Sequence, residues 1–212
     1  MRKLLRFLVW TALVLGLLIG VARLVAIRGW QVPDNDRYLE ASVAPTLRGG
    51  DWVLLWRLTK PKFGDLVLCP EPGHEDRRVI GRILAEEGDR IAINGAQVRR
   101  NNKVSETEHP CSAFKVAAPD TGAEVEQVCQ VEALGGSSHL RGATTGHQVA
   151  PKSVDQQVAE GQVFLVSDNR LFPYDSRDFG QVPRESCQEF VFFRLLGKSG
   201  WFDSETRLAY IQ

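Results

Sequence analysis

One long apolar segment near the N-terminus dominates the hydrophobic pattern. Residues 8–21 carry no charge, and the apolar stretch spans residues 4–27 if Arg6 and Arg23 direct their charges toward lipid head groups. A helix of that length rises ~36 Å, enough to cross a hydrocarbon core of ~30 Å. We therefore predict an N-terminal transmembrane anchor over residues 1–28.

A cleaved secretory signal peptide is the alternative interpretation, because it also combines a charged start with an apolar core. No clean small-x-small cleavage site follows the core, and Arg23 interrupts the usual place for one. This favours an anchor that stays attached. Arg2, Lys3 and Arg6 precede the segment, so the positive-inside rule predicts a cytoplasmic N-terminus and an extracytoplasmic main domain.

Beyond the anchor, short apolar runs alternate with turn residues. Residues 29–37 are predicted to form a juxtamembrane linker. Runs such as Trp52–Leu58 and Phe190–Leu196 are typical of strands, and Asn94–Gly95 is a strong hairpin signal. This spacing favours a β-rich domain over a helical one.

The apolar periodicity weakens from about residue 101 to residue 157, where Gly, Ser, Thr, Glu and Pro become more frequent. We interpret this stretch as a loop-rich insertion with a few strands of its own. The domain at 38–212 is therefore predicted to be mostly β, with antiparallel sheets and an inserted subdomain.

The charge and cysteine content narrow the classes of protein to which this chain could belong. Lys+Arg and Asp+Glu both total 26, so the net charge is zero and no nucleic-acid partner is predicted. Cys111 and Cys129 share one irregular segment, so a local disulfide between them is plausible. The alternative is four free thiols, with Cys69 and Cys187 buried as small apolar groups. No metal-ligand spacing is present, so neither a metal nor a cofactor is predicted.

Three segments occur in an order that is typical of one protein family. They are SVAPTL at 42–47, RRVIG at 77–81 and SDNRLFPYDSRDFG at 167–180. Together they resemble the signature segments of the signal peptidase I family. Its members are membrane-bound serine endopeptidases of the Ser/Lys type. The likeness extends from the anchor to about Tyr210, and the third segment is highly specific.

The resemblance implies that Ser42 occupies the position of the nucleophile. A serine hydroxyl needs a base within hydrogen-bond reach, and in this family a desolvated Lys takes the proton. Here Arg77 stands at the family's Lys position. An arginine cannot be deprotonated in a protein, so it can hold an anion but cannot accept the proton of Ser42.

Other departures from the family pattern fall in the implied cleft and oxyanion region. Glu40 stands where many members place a Ser that assists the oxyanion hole, and a carboxylate there would repel developing negative charge. Val43 replaces a Met, while Pro45 biases the preceding residue toward an extended conformation. Pro173 replaces a Ser that is thought to hydrogen-bond the Lys. We hypothesise that Glu40 and Arg77 form a salt bridge that caps Ser42.

The third segment is dense in hydrogen-bonding groups, and we predict that it locks a buried loop beneath the cleft. The residues concerned are Asp168, Asn169, Arg170, Asp175, Ser176 and Arg177. Among the histidines, His74 is the least implausible replacement base. His109, His139 and His147 are expected to be solvated surface groups.

Two functions follow from these observations. The first is cleavage of signal peptides from exported preproteins by Ser42, with another base in place of Lys. The second is a catalytically silent homologue that binds signal peptides or another membrane partner without cutting. For both, the resemblance implies a bacterial-type inner membrane location, with signal peptides and membrane lipid as partners.

Overall fold

The computed structural model describes residues 2–143, 152–204 and 206–211. In chain order its elements are α1 Arg2–Ala26, β1 Ile27–Gln31, α2 Arg37–Val43, β2 Trp52–Trp56, β3 Leu66–Glu71, β4 His74–Glu86, β5 Arg90–Asn94, β6 Gln97–Arg100, β7 Lys103–Val104, β8 Glu106–Ala117, β9 Glu124–Leu134, β10 Ser137–Ala143, β11 Val154–Gln157, β12 Gln162–Val166, α3 Ser176–Phe179, β13 Val182–Pro183, a 3-10 turn Arg184–Ser186, β14 Glu189–Leu196 and β15 Ala209–Tyr210. The prediction of a mostly β domain behind an N-terminal apolar helix is confirmed.

Three sheets organise the domain, and all their strand pairs are antiparallel. The main sheet has the order β1-β2-β14-β3-β4-β12-β13, with β15 paired to β14. A four-stranded sheet runs β11-β5-β6-β7, and a three-stranded sheet runs β10-β9-β8. The hairpin predicted at Asn94–Gly95 is confirmed, because Asn94 pairs with Gln97 where β5 turns into β6.

Helix α1 continues into the main sheet without an intervening linker. Over Lys3–Val21 its mean hydropathy is 2.3, so by length and composition it can cross a membrane. Ile27 then pairs with Trp56, and Gln31 pairs with Trp52. The structure thus differs from the predicted linker at 29–37, whose first residues belong to β1. Pairing with β2 satisfies the backbone groups on one side of β1, and Trp30 packs against the core.

Helix α2 is short and has defined ends. The side chain of Asp36 caps it by accepting hydrogen bonds from the backbone N–H groups of Tyr38 and Leu39, both at 3.1 Å. It ends at Val43, because the residue before Pro45 is biased out of the helical region and Ala44 is extended at φ −68° and ψ 145°. Leu39 and Val43 pack into the core formed by the main sheet.

The predicted insertion is richer in strands than we expected. Residues 106–143 form β8, β9 and β10, and Gly135 and Gly136 make the tight turn between the last two with positive φ angles. Most of β8 is exposed, so its sequence lacks a strong apolar alternation. β11 returns to pair with β5. His147 lies outside the described residues.

The insertion packs directly on α2. Phe114, Val116 and Cys129 of its sheet form one buried cluster with Ala41 and Ala44. This contact holds the helix that carries Ser42 between the main sheet and the insertion.

All four cysteines are paired in disulfides. Cys111 and Cys129 join β8 to β9, which is the local pairing considered from the sequence. Cys69 of β3 is bonded to Cys187, which precedes β14 and is 118 residues further along the chain. The alternative of four free thiols is therefore wrong.

Candidate functional site

Ser42 is held in place by two hydrogen bonds and is buried. Its hydroxyl donates to the carbonyl of Leu39 at 2.9 Å. Its own carbonyl accepts from the backbone N–H of Asn169 at 3.0 Å, which ties α2 to the third sequence segment. Only 1% of Ser42 is exposed. The hydroxyl hydrogen is therefore engaged with a backbone carbonyl rather than with a base.

Arg77 belongs to a cluster at the start of β4. Its Nε lies 3.2 Å from Oε2 of Glu71, and its guanidinium carbon is 5.9 Å from the ring centroid of Tyr174. The Tyr174 hydroxyl donates to Oε1 of the same carboxylate at 2.8 Å. Burial and the Glu71 carboxylate together raise the pKa of Tyr174 to about 12. The Arg77 side chain remains about half exposed.

Helix α2, which carries Ser42, contacts the Arg77 cluster through a pair of aromatic rings. Tyr38 lies one turn before Ser42 in α2, and its ring centroid is 6.2 Å from that of Tyr174, which in turn contacts Arg77. Within the described part of the chain, no hydrogen bond or ion pair joins Ser42 to Arg77.

The hypothesised Glu40–Arg77 salt bridge is wrong. Arg77 is paired with Glu71, which lies close to it because β3 and β4 form a hairpin. The Glu40 carboxyl instead lies against Gly49, where an added Cβ would come within 2.8 Å of its carboxyl carbon. Glu40 follows Tyr38 by two residues, so the two side chains point to opposite sides of the helix.

The other residues of the implied cleft have mainly packing roles. Val43 is buried in the core between α2 and the main sheet, and Pro45 is partly buried just after it. Pro173 is partly buried and immediately precedes Tyr174. It therefore supplies a ring, and no hydroxyl, beside the Arg77 cluster.

None of the three histidines in the described residues hydrogen-bonds to Ser42. His74 is exposed, and its backbone pairs with that of Glu71 across the turn between β3 and β4. His109 is exposed in β8. The prediction that His139 is a surface group is wrong, because pairing of β10 with β9 places it opposite Glu132 and leaves it 3% exposed.

Asp168 is the centre of a buried ionic contact. It receives hydrogen bonds from Nε and Nη2 of Arg82 at 2.9 and 2.8 Å and from the Thr46 hydroxyl at 2.6 Å. Burial alone would raise the pKa of this carboxyl, but the charge and hydrogen bonds of Arg82 hold it below the ordinary value. The contact fixes the third segment to β4 and to the loop after α2.

A second buried ionic contact joins the third segment to the insertion. Arg170 donates to Glu132, whose carboxylate also lies 3.3 Å from Nη1 of Arg141 and 3.2 Å from Nε2 of His139. Burial opposes the charge on Glu132, but Arg170 and His139 lower its pKa below the ordinary value. Burial, helped by Arg82, lowers the pKa of His139.

The end of the third segment is held by its own side chains. Asp175 accepts from Nε and Nη2 of Arg177 at 2.9 and 2.7 Å and from the backbone N–H of Ser167 at 2.8 Å. It also forms a capping box with Asp178 at the start of α3. The Ser176 hydroxyl accepts from the backbone N–H of Leu165. Asn169 accepts from two backbone N–H groups further along the loop.

Comparison with known proteins agrees with these observations. The family model for signal peptidase, peptidase S26, matches residues 4–196. The chain belongs to this family. It is 26% identical over 182 residues to signal peptidase I of Aquifex aeolicus, covering 72% of this chain and 71% of that protein.

Two other similarities are weaker. A crystal structure of a signal peptidase I from Enterococcus faecalis aligns with 62% of this chain and 97% of its own, at 18% identity and a TM-score of 0.40. A protein-L-isoaspartate O-methyltransferase of Pelodictyon phaeoclathratiforme is 35% identical over 65 residues, which is 29% of this chain and 30% of that protein.

In this peptidase S26 family member, the motif residues have partners that the sequence did not predict. Arg82 is a charged residue inside the apolar run of β4, and that anomaly is a signal that could have marked it as buried and paired, whereas Glu132 lies in a strand rich in Glu and Gln and carries no such signal. Glu71 and Tyr174 carry no such signal. Within the described residues, no group of three or more His, Cys, Asp and Glu is arranged to hold a metal ion.

Proposed function

We propose that this protein is a catalytically silent member of the signal peptidase I family that binds the signal peptides of exported proteins without cutting them. Helix α1 anchors it in the membrane. Arg2, Lys3 and Arg6 keep the N-terminus in the cytoplasm, so the β domain lies outside.

The ion pair between Arg77 and Glu71 is the observation that carries this proposal. A general base must lose its proton before it can take one from serine, and a guanidinium does not do so near neutral pH. A neighbouring carboxylate within ~4–6 Å stabilises the cation further. The Ser42 hydroxyl donates to the Leu39 carbonyl, and among the described residues no side chain accepts its proton.

An open strand edge supports peptide binding. β3 pairs with one side of β4, while β12 pairs with its other side only from Arg82 to Glu86. No strand in the described residues pairs with positions 77–80 on that side, where Arg77 and Arg78 are exposed while Val79 and Ile80 are buried. An extended segment can add to such an edge through backbone hydrogen bonds. The edge includes Arg77 and lies beside the cluster that contacts α2.

The test uses the full-length protein in detergent micelles with a preprotein and a labelled synthetic signal peptide. We expect the fluorescence anisotropy of the peptide to rise and to be reversed by unlabelled peptide, while gels show no processed preprotein. Cleavage by the parent that is abolished by Ser42→Ala contradicts the proposal and supports the active enzyme. Absence of peptide binding also contradicts it.

A rebuilt base provides a sharper form of the same test. Arg77→Lys alone leaves the new amine beside Glu71, which keeps it protonated because an adjacent carboxylate favours the cation by ~1–3 pKa units. We therefore expect slow cleavage only when Arg77→Lys is combined with Glu71→Gln and Pro173→Ser. The matched control carries Ser42→Ala on that background and must remain inactive.

A further inference from the structure

A groove of about 740 Å³ lies between the loop 57–61 that follows β2 and the segment 183–188. We call it the Arg57 groove. Its buried wall includes Pro61, Ile83 and the disulfide-bonded Cys187. Leu58 stands at its rim and is 58% exposed. The groove therefore has an apolar lining only along this buried wall, polar and charged side chains elsewhere, and an exposed apolar side chain at its edge.

The groove begins at the end of α1. The backbone N–H of Arg57 donates to the carbonyl of Ala26, the last residue of the helix, at 3.0 Å. The apolar window ends at Val21, so Ala26 lies about 7 Å further along the axis at ~1.5 Å per residue. The polar region on each side of a bilayer is roughly 5–7 Å thick. Arg57 is thus at the level of the lipid head groups when α1 spans the membrane.

The wall next to α1 carries unbalanced positive charge. Arg28 and Arg57 share one carboxylate, because Nη1 of the first and Nε of the second lie 3.2 and 3.1 Å from the two oxygens of Glu189. Both guanidinium groups are about half exposed. Lys60 lines the same groove and forms no ion pair with any described residue. Glu185, on the opposite wall, is exposed to solvent.

We propose that the Arg57 groove binds an anionic phospholipid, with the phosphate against Arg57 and Lys60 and an acyl chain beside Leu58. Guanidinium and ammonium groups that are incompletely neutralised attract phosphate, and basic residues next to a membrane helix are attracted to anionic lipid. The apolar lining matches the glycerol and upper acyl region. The site is independent of Ser42 and Arg77, although the choice of leaflet follows from the proposed orientation.

Native mass spectrometry of the full-length protein tests this proposal. The protein is released from micelles that contain equimolar phosphatidylglycerol and phosphatidylcholine. We expect the parent to retain phosphatidylglycerol at least about five-fold over phosphatidylcholine. Arg57→Gln/Lys60→Gln should reduce that preference several-fold. The matched control is Arg99→Gln/Lys103→Gln, which removes two exposed cations from β6 and β7 and should leave the preference unchanged.

Several outcomes overturn the assignment. Equal retention of the two lipids by the parent does so, and so does an undiminished preference in the Arg57/Lys60 variant. An equal loss in the control pair would show that net charge, rather than the groove, selects the lipid. Inorganic phosphate that displaces phosphatidylglycerol as effectively as short-chain phosphatidylglycerol would show that the groove takes a free anion.

Discussion

The loop around Asp168 and the surface around Arg77 contain residues from the same family motifs, but they differ in physical state. Asp168 and Arg82 are fully buried and bonded to each other through two contacts. Arg77 is about half exposed and is paired with a carboxylate that also serves Tyr174. The residues that hold the Asp168 loop match the family pattern. Arg77, which stands where the family has its proton-accepting Lys, does not. Under the proposed function, this fold keeps its polar framework although its reaction chemistry has been replaced.

Removing one partner of the buried pair should have the largest effect. Asp168→Asn removes the carboxylate charge that faces the buried Arg82 guanidinium, which costs about 3–5 kcal/mol. For a chain of this size we expect the Tm to fall by roughly 6–20 °C. Circular dichroism melts of the full-length protein in detergent measure the change.

The matched control for that experiment is an exposed pair. Arg90 and Asp155 lie 2.8 Å apart at the surface, where solvent screens their attraction. Asp155→Asn should leave the Tm unchanged within error. Equal shifts for Asp155→Asn and Asp168→Asn would contradict the difference between buried and exposed contacts.

His139 should make the buried region sensitive to acid. Its pKa is lowered in the folded state by burial and by Arg82 and Arg170, against the raising influence of Glu132 and Asp168. The unfolded chain therefore takes up the proton first as pH falls through about 6.5. We expect up to ~1.4 kcal/mol of stability to be lost per pH unit below that value, until the folded histidine also protonates.

Urea unfolding at pH 7.5 and 5.5 measures this loss. His139→Gln should reduce the difference between the two conditions, because the titrating group is gone. The control is His74→Gln, which changes an exposed histidine and should retain the parent's difference. An identical acid loss in the His139 variant would refute the assignment.

Substitutions in the Arg77 cluster should have a smaller effect on stability and a clear effect on the titration of Tyr174. Arg77→Gln should cost about 1–2 kcal/mol, because Arg77 is about half exposed but the buried Glu71 carboxylate loses its cation. Glu71→Gln should lower the pKa of Tyr174 from about 12 toward its usual value, although burial keeps it somewhat raised. Ultraviolet absorbance titration detects the phenolate, and Tyr174→Phe identifies its step. An unchanged pKa in the Glu71 variant would show that this carboxylate does not contribute.

The sequence predicts the parts of the fold that depend on local pattern. The apolar helix, the β-rich domain and the hairpin after β5 all follow from periodicity and turn residues. β1 could not be predicted, because Ile27–Gln31 becomes a strand only by pairing with β2. β8 was missed because its apolar positions are few and acquire their burial by packing on α2.

The site residues also fall into two groups, those whose place in the motifs can be read from the sequence and those whose contacts depend on tertiary structure. The positions of Ser42 and Arg77 follow from the family likeness, since motif order survives substitution. The partner of Arg77 depends on how the β3–β4 hairpin brings Glu71 beside it, and the burial of His139 depends on the register of β9 with β10. Both are consequences of tertiary pairing that a single sequence does not encode locally.

Because α1 passes directly into β1, no flexible linker separates the helix from the domain. A flexible tether would let a binding surface sample many heights above a bilayer, whereas here the first residue after the helix is already paired with Trp56. Under the proposed function, an exported peptide that leaves the bilayer would therefore meet Ser42 and the edge of β4 at a nearly constant height. Insertion of a few glycines between Ala26 and Ile27 would create a flexible linker, so the position of the domain would no longer be fixed by the helix.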